Sequence, residues 1–309
     1  MKVLLLGKDG QLGVQLQRSL GTVGWVVALG RESNGATMHA DLCKLGALRE
    51  VLREVRPDLV VNAAAFTAVD RCESEQQLAQ AVNAVAPGVV AEEVRKCGGV
   101  MVHFSTDYVF DGAGDRPFDE ECKTSPLNVY GMTKLEGEER VRSSGCRHLI
   151  LRTSWLHSPA GNNFVRTVLS VAAQQRVLRV VNDQIGAPTP AGLLADVTAA
   201  LALRAMRDSS MLGTYHCAAK GETSWFEYAT RVVGVAREAG LKVLPAKDAV
   251  VPIATGEYAS CARRPLNCRL STRKLESVLG TEFERWEPSV DRTAAHVVAE
   301  LLNSGEEPR

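Results

Sequence analysis

Five short stretches of this chain, residues 3–6, 25–29, 59–61, 100–104 and 148–151, are apolar without a polar alternation. A strand with one wet face alternates. Unbroken apolar runs instead fit strands buried on both faces, the condition of a parallel sheet covered by helices. Helical patterns lie between them. Residues 11–20 place Leu12, Leu16 and Leu20 on one helical face. Residues 45–55 are expected to be helical up to Pro57, residues 74–96 helical with a break near Pro87, and residues 129–142 helical again. This alternation specifies a doubly wound α/β fold over residues 1–154. After Trp155 the elements shorten, and Gly161, Gly186, Pro188, Pro190 and Gly192 interrupt them. Residues 155–309 therefore read as a smaller C-terminal lobe that closes over a substrate, with residues 190–205 returning to pack on the first domain.

The balance of 36 Lys and Arg against 36 Asp and Glu gives no argument for a nucleic-acid or membrane partner. No apolar run approaches the roughly 20 residues that span a bilayer. Met1 and Lys2 lead directly into the first apolar run, so no signal peptide is expected. The eight cysteines include no C-x-x-C pair, which argues against zinc and for reduced thiols in a cytoplasmic protein.

Three segments carry chemistry. Gly7-Lys8-Asp9-Gly10-Gln11-Leu12-Gly13 joins the first strand to the first helix. Glycine lets a backbone approach a pyrophosphate, and the helix N-terminus offers free N–H groups to it. The spacing is G-x-x-G-x-x-G rather than G-x-G-x-x-G. Tyr130-x-x-x-Lys134 places a phenol and an ammonium on one helix face. A nearby ammonium favours phenolate, so Lys134 is expected to lower the Tyr130 pKa. Ser105-Thr106-Asp107 follows the fourth strand, at the sheet edge where ligands of such folds bind, and aims the Thr106 hydroxyl at the same space.

Together these segments resemble the extended short-chain dehydrogenase/reductase family, whose dinucleotide-binding domain is a Rossmann fold. Within it, further segments are similar to the dTDP-4-dehydrorhamnose reductases: Val61 to Asp70, Ser105 to Phe110, Pro126 to Lys134, Arg152 to Trp155, Gly161 to Phe164, Asp183 to Thr189 and Ala262 to Pro265. The resemblance implies an NAD(P)H-dependent reductase acting on a dTDP-linked 4-keto-6-deoxy sugar. It implies that Tyr130 gives the proton, with Lys134 and Thr106 beside it. Gly7, Gly10, Gln11, Leu12 and Gly13 would meet the cofactor diphosphate, Asp41 and Leu42 would flank the adenine, and Ala65, Phe66 and Thr67 would line the groove. Thr106, Asp107 and Trp155 would contact the sugar, and Arg264 is a candidate for the substrate diphosphate.

Two departures qualify the resemblance. Some relatives bind Mg²⁺ at a dimer contact through glutamates, and the matching positions here are Gln15 and Gly192. No metal is expected, and the chain is expected to be a monomer or a homodimer without a metal bridge. At the end of the second strand, where an acid would accept from the adenine ribose 2′-hydroxyl, stand Gly30 and Arg31. This implies NADPH as the preferred cofactor, with NADH usable. Two other readings compete. A sugar-nucleotide dehydratase would carry Thr-Asp-Glu where Thr106-Asp107-Tyr108 stands. A non-catalytic subunit similar to the methionine adenosyltransferase β subunit would lack the Arg152 to Trp155 and Gly161 to Phe164 signatures.

Overall fold

The computed structural model describes residues 1–32, 38–244 and 249–304. Strands β1 (Lys2–Leu6), β2 (Trp25–Leu29), β3 (Leu59–Asn62), β4 (Val100–Thr106), β5 (Arg147–Thr153) and β6 (Gly213–His216) form one sheet. Its order is β6-β5-β4-β3-β1-β2, and every pairing is parallel. The order reverses between β1 and β3, which opens a crevice at their carboxyl ends. The longer helices are α1 (Gln11–Leu20), α2 (Leu45–Val55), α3 (Ala86–Cys97), α4 (Val129–Ser143), α5 (Phe164–Gln174), α6 (Ala191–Arg207), α7 (Trp225–Glu238) and α8 (Trp286–Ser304). No described helix is long and apolar enough to cross a membrane.

The unbroken apolar runs have a direct structural cause. In β1, Val3 and Leu5 enter one core while Leu4 and Leu6 enter the other, all fully buried. β3 divides in the same way, with Leu59 and Val61 on one face and Val60 on the other. Helices α1 and α6 cover the first face, and α2, α3 and Val141 of α4 cover the second. Both α6 and β6 follow residue 154 in sequence, so residues 191–216 belong with the sheet. A third core joins α5, α7 and α8 around Tyr228 and Trp286.

Residues 74–96 depart from the expected single break. Helix Val69–Ser74 ends first, Gln76–Gln80 follows, and a π-helical turn at Ala81–Val85 runs into α3. The wide turn sits just ahead of Pro87, which has no N–H to give the preceding turn. Asn83, inside that turn, is fully buried and becomes part of the site.

Candidate active site

The crevice begins at the turn after β1. Gly7 has φ +88°, and a Cβ there would lie 2.7 Å from the Ala64 nitrogen. A Cβ on Gly13 would lie 2.0 Å from the Gly7 carbonyl oxygen. These two glycines let the end of β3, the β1 turn and α1 close on one another. The Gly7 and Lys8 N–H groups both donate to the Leu29 carbonyl, at 2.9 and 3.2 Å, tying the turn to the end of β2. Gly10 caps α1 without a side-chain bond, so the first N–H groups of the helix face the crevice. Leu12 is buried in the core and offers the crevice only its backbone. Gln11 donates from Nε2 to the Asn162 carbonyl at 3.0 Å, while its buried Oε1 has no partner.

From this turn a groove of about 670 Å³ runs past Gly30, Arg31, Asp41 and Leu42 on one side and residues 63–68 on the other. Asp41 accepts the Cys43 N–H at 3.0 Å. Phe66 is pinned by Asn83, which accepts its N–H at 2.8 Å and donates to its carbonyl at 3.0 Å. Cβ-free backbone at Gly7 and Gly10, an uncapped helix end and an apolar wall fit a dinucleotide. As read from the sequence, no acid stands at Gly30 in the chain, and the Asp9 carboxylate occupies the space beside it.

Beyond the groove, β4 ends at Thr106 and α4 presents Tyr130 and Lys134. Asn128 caps α4, accepting the Gly131 N–H at 2.8 Å. A Cβ on Gly131 would lie 2.2 Å from the Tyr108 carbonyl oxygen, so this glycine lets the first turn of α4 rest on residues 106–108. Thr106 is close enough to Tyr130 to influence its phenol, and the Tyr130 ring meets Tyr108 edge-on at 5.8 Å. Lys134 Nζ is buried and donates to the Phe104 carbonyl at 2.5 Å.

The electrostatics differ from expectation. Burial raises the Tyr130 pKa, the Asp107 charge adds to the rise, and the Thr106 hydroxyl opposes it. Lys134 does not lower it: the ammonium is turned to the β4 backbone, and burial brings its own pKa down to about 8 against the pull of Glu138. Tyr130 is therefore a protonated phenol at neutral pH, suited to give a proton rather than take one. Burial likewise pushes the Asp107 carboxyl up to about 7.

Next to this triad opens a cleft of about 560 Å³ walled by Tyr108, Phe164, Val180, Trp225, Tyr258 and Arg264. Trp155, at φ +46°, stacks on Trp225 at 3.7 Å between ring centres, and its buried Nε1 has no partner. Arg264 pairs with Asp70 at 2.5 Å and reaches the Tyr108 hydroxyl at 3.3 Å. Asn83, Tyr108, Trp225 and Asp9 carry site contacts that the sequence reading assigned to none of them. Tyr108 belongs to the Ser105 to Phe110 segment. Trp225 had no signal beyond its residue type.

The chain matches the family model described as RmlD substrate binding domain over residues 1–299. It is 44% identical over 292 residues to the dTDP-4-dehydrorhamnose reductase of Salmonella typhimurium, covering 94% of this chain and 96% of that one. The chain belongs to the dTDP-4-dehydrorhamnose reductase family. Two solved structures of this family superpose on it. The Clostridium acetobutylicum member has a TM-score of 0.84 at 32% identity, covering 98% of this chain and all of that one. The Bacillus anthracis member, solved in complex with NADP, has a TM-score of 0.82 at 31% identity, covering 94% and 98%. In this reductase-family chain, Gln15 and Gly192 lie on the wall of a separate cleft, where a Cβ on Gly192 would sit 3.8 Å from Gln15 Oε1. Among the described residues no cluster of three His, Cys, Asp or Glu side chains comes together to hold a metal ion.

Proposed function

We propose that this chain reduces the C4 ketone of dTDP-4-dehydro-L-rhamnose to dTDP-L-rhamnose, using NADPH or NADH. The observation that carries the reading is that Thr106, Tyr130 and Lys134 gather at the carboxyl end of β4: Tyr130 meets the ring of Tyr108, a wall of the cleft, Thr106 accepts the Tyr108 N–H, and Lys134 bonds to Phe104. A nicotinamide cofactor bound in the groove supplies the hydride. Tyr130 gives its phenolic proton to the ketone oxygen as that oxygen becomes an alkoxide. The Thr106 hydroxyl supports the same oxygen and stabilises the developing charge. Lys134 holds the inner end of the groove from its bond to Phe104 and donates toward the nicotinamide ribose. Gly7, Gly10, Gln11, Leu12 and Gly13 hold the diphosphate, mainly through backbone N–H groups. Asp41 and Leu42 hold the adenine end, and Ala65, Phe66 and Thr67 form the opposite wall.

In the cleft, Asp107 and Trp155 position the sugar, and Arg264 faces the substrate diphosphate from its bond to Asp70. The guanidinium has five N–H groups, so pairing with Asp70 leaves donors for phosphate oxygens. The smaller lobe after residue 155 holds the substrate, and residues 191–216 serve the cofactor domain. The relatives' reductase names and the protonated Tyr130 favour this reading over a dehydratase or a non-catalytic subunit. All eight cysteines are free thiols, which supports a cytoplasmic location. The chain works as a monomer or as a homodimer without a metal bridge.

The test is NADPH oxidation with freshly prepared dTDP-4-keto-6-deoxy-L-sugar, with the sugar product identified by NMR. Absence of turnover from folded protein that binds NADPH would remove this substrate assignment.

A further inference from the structure

We infer that Asp9, from the glycine-rich turn, sets cofactor specificity by accepting from the adenine ribose 2′-hydroxyl, a role that a β2 residue fills in related folds. This rests on the dinucleotide reading of the groove. In a doubly wound sheet the residue ending the second strand faces that ribose; a carboxylate there accepts from the hydroxyl and repels a 2′-phosphate. Here the strand ends at Leu29 and the next residue is Gly30. A Cβ built on Gly30 would fall 2.0 Å from Asp9 Oδ2. The Asp9 carboxylate thus already stands in the volume that an acid at position 30 would enter. Gly30 is the residue that leaves it room.

The surrounding charges divide the specificity. Lys8 Nζ lies 2.5 Å from Asp9 Oδ1 and fixes the carboxylate. Arg31 follows Gly30 with its side chain 78% exposed, and among the described residues it pairs with Glu32 at 3.5 Å. A 2′-phosphate draws Arg31 and Lys8 and is repelled by Asp9. A 2′-hydroxyl finds in Asp9 a charged acceptor. Arg31 therefore favours NADPH, and Asp9 keeps NADH in use. Asp9 is 57% exposed, so solvent reduces each contribution to about threefold to tenfold in affinity.

Calorimetry on the full chain with ADP-ribose and with 2′-phospho-ADP-ribose isolates this end of the groove from catalysis. We expect Asp9→Asn to weaken ADP-ribose and tighten the phosphorylated fragment, each by about threefold to tenfold. Glu32→Gln, which removes the neighbouring acid, should leave the ratio of the two affinities within about twofold. An unchanged ratio in Asp9→Asn, or the switch appearing in Glu32→Gln instead, overturns the inference while the cofactor reading stands. Failure of the wild type to bind either fragment overturns both.

Discussion

The Thr106 hydroxyl lies 3.0 Å from Asp107 Oδ1 and accepts the Tyr108 N–H at 3.1 Å. A hydroxyl has one proton and two lone pairs, so its direction depends on the charge of its neighbour. With Asp107 neutral, the carboxyl donates to Thr106, and the Thr106 proton turns to Tyr130 or the ketone oxygen. With Asp107 ionised, Thr106 donates to Asp107 and is lost to the substrate. Asp107 faces the Cys268 thiol, the Tyr108 and Tyr130 phenols and, behind them, the Arg264–Asp70 pair. Its Oδ2 is buried without a partner. Because burial pushes its pKa up to about 7, kcat/KM should fall as pH rises through that value. Asp107→Asn, a permanent donor, should lower activity severalfold near pH 6 and flatten the decline. A wild-type profile level from about pH 6 to pH 9 would contradict this. The stability sign agrees: a carboxyl raised in the fold costs stability as pH climbs from the unfolded value of 3.8 to about 7. Asp107→Asn should therefore gain on wild type in thermal melts at alkaline pH.

The sheet was legible in the sequence because its cause is local. Leu4 and Leu5 face opposite cores, so β1 had to be apolar throughout. The glycine turn was legible because Gly7 and Gly13 sit where any Cβ collides with backbone. Asp9 was not legible beside Gly30. Their meeting depends on the register that sets Leu6 against Leu29, a cross-strand relationship that spacing does not record. The spacing of Tyr130 and Lys134 correctly placed them on one helix, but could not say that the ammonium would turn to Phe104. β6 escaped because an edge strand carrying Thr214 and His216 lacks the apolar run of the inner strands.

Tyr130 and Lys134 should separate in their effects on stability. Tyr130→Phe keeps the ring against Tyr108 and deletes the proton donor. It should cost about 100-fold to 10,000-fold in kcat with little change in melting temperature. Lys134→Met removes an ammonium whose pKa burial lowers to about 8. A lysine lowered in the fold opposes folding below that value and recovers stability as pH rises toward 10.5. Lys134→Met should thus weaken NADPH binding and kcat, yet melt no lower than wild type near pH 6.5. Its relative advantage should shrink by about pH 9.5. A melt that favours the variant more at high pH would contradict the sign.

Gly7→Ala tests the crevice itself. The new methyl would enter at φ +88° and meet the Ala64 nitrogen at 2.7 Å, so both strain and collision oppose it. The expected cost is about 2–4 kcal/mol, read as a lower denaturant midpoint. Cofactor affinity should fall together with stability, because the same turn presents its backbone to the diphosphate. Loss of stability with full NADPH affinity would show that the turn is structural only.

Chelation should leave this chain unaffected. The cleft around Gln15 and Gly192 has a volume of about 500 Å³ and is also lined by His157, Arg285, Arg292 and His296. Among the described residues its one carboxylate, Glu284, is paired with Arg292 at 2.5 Å. Mg²⁺ needs hard oxygen ligands, usually carboxylates, and an amide facing a glycine beside two guanidinium groups supplies neither the charge nor the ligand number. Burial and the Arg292 charge bring the His157 pKa down to about 4, so the imidazole is neutral here and adds a nitrogen rather than an oxygen. EDTA should therefore change neither the rate of NADPH oxidation nor the mass by light scattering. Gln15→Glu and Gly192→Glu together should create a chelator-sensitive assembly. Wild-type protein that dissociates or loses turnover in EDTA, and recovers with Mg²⁺, would place a metal site outside the residues considered for it.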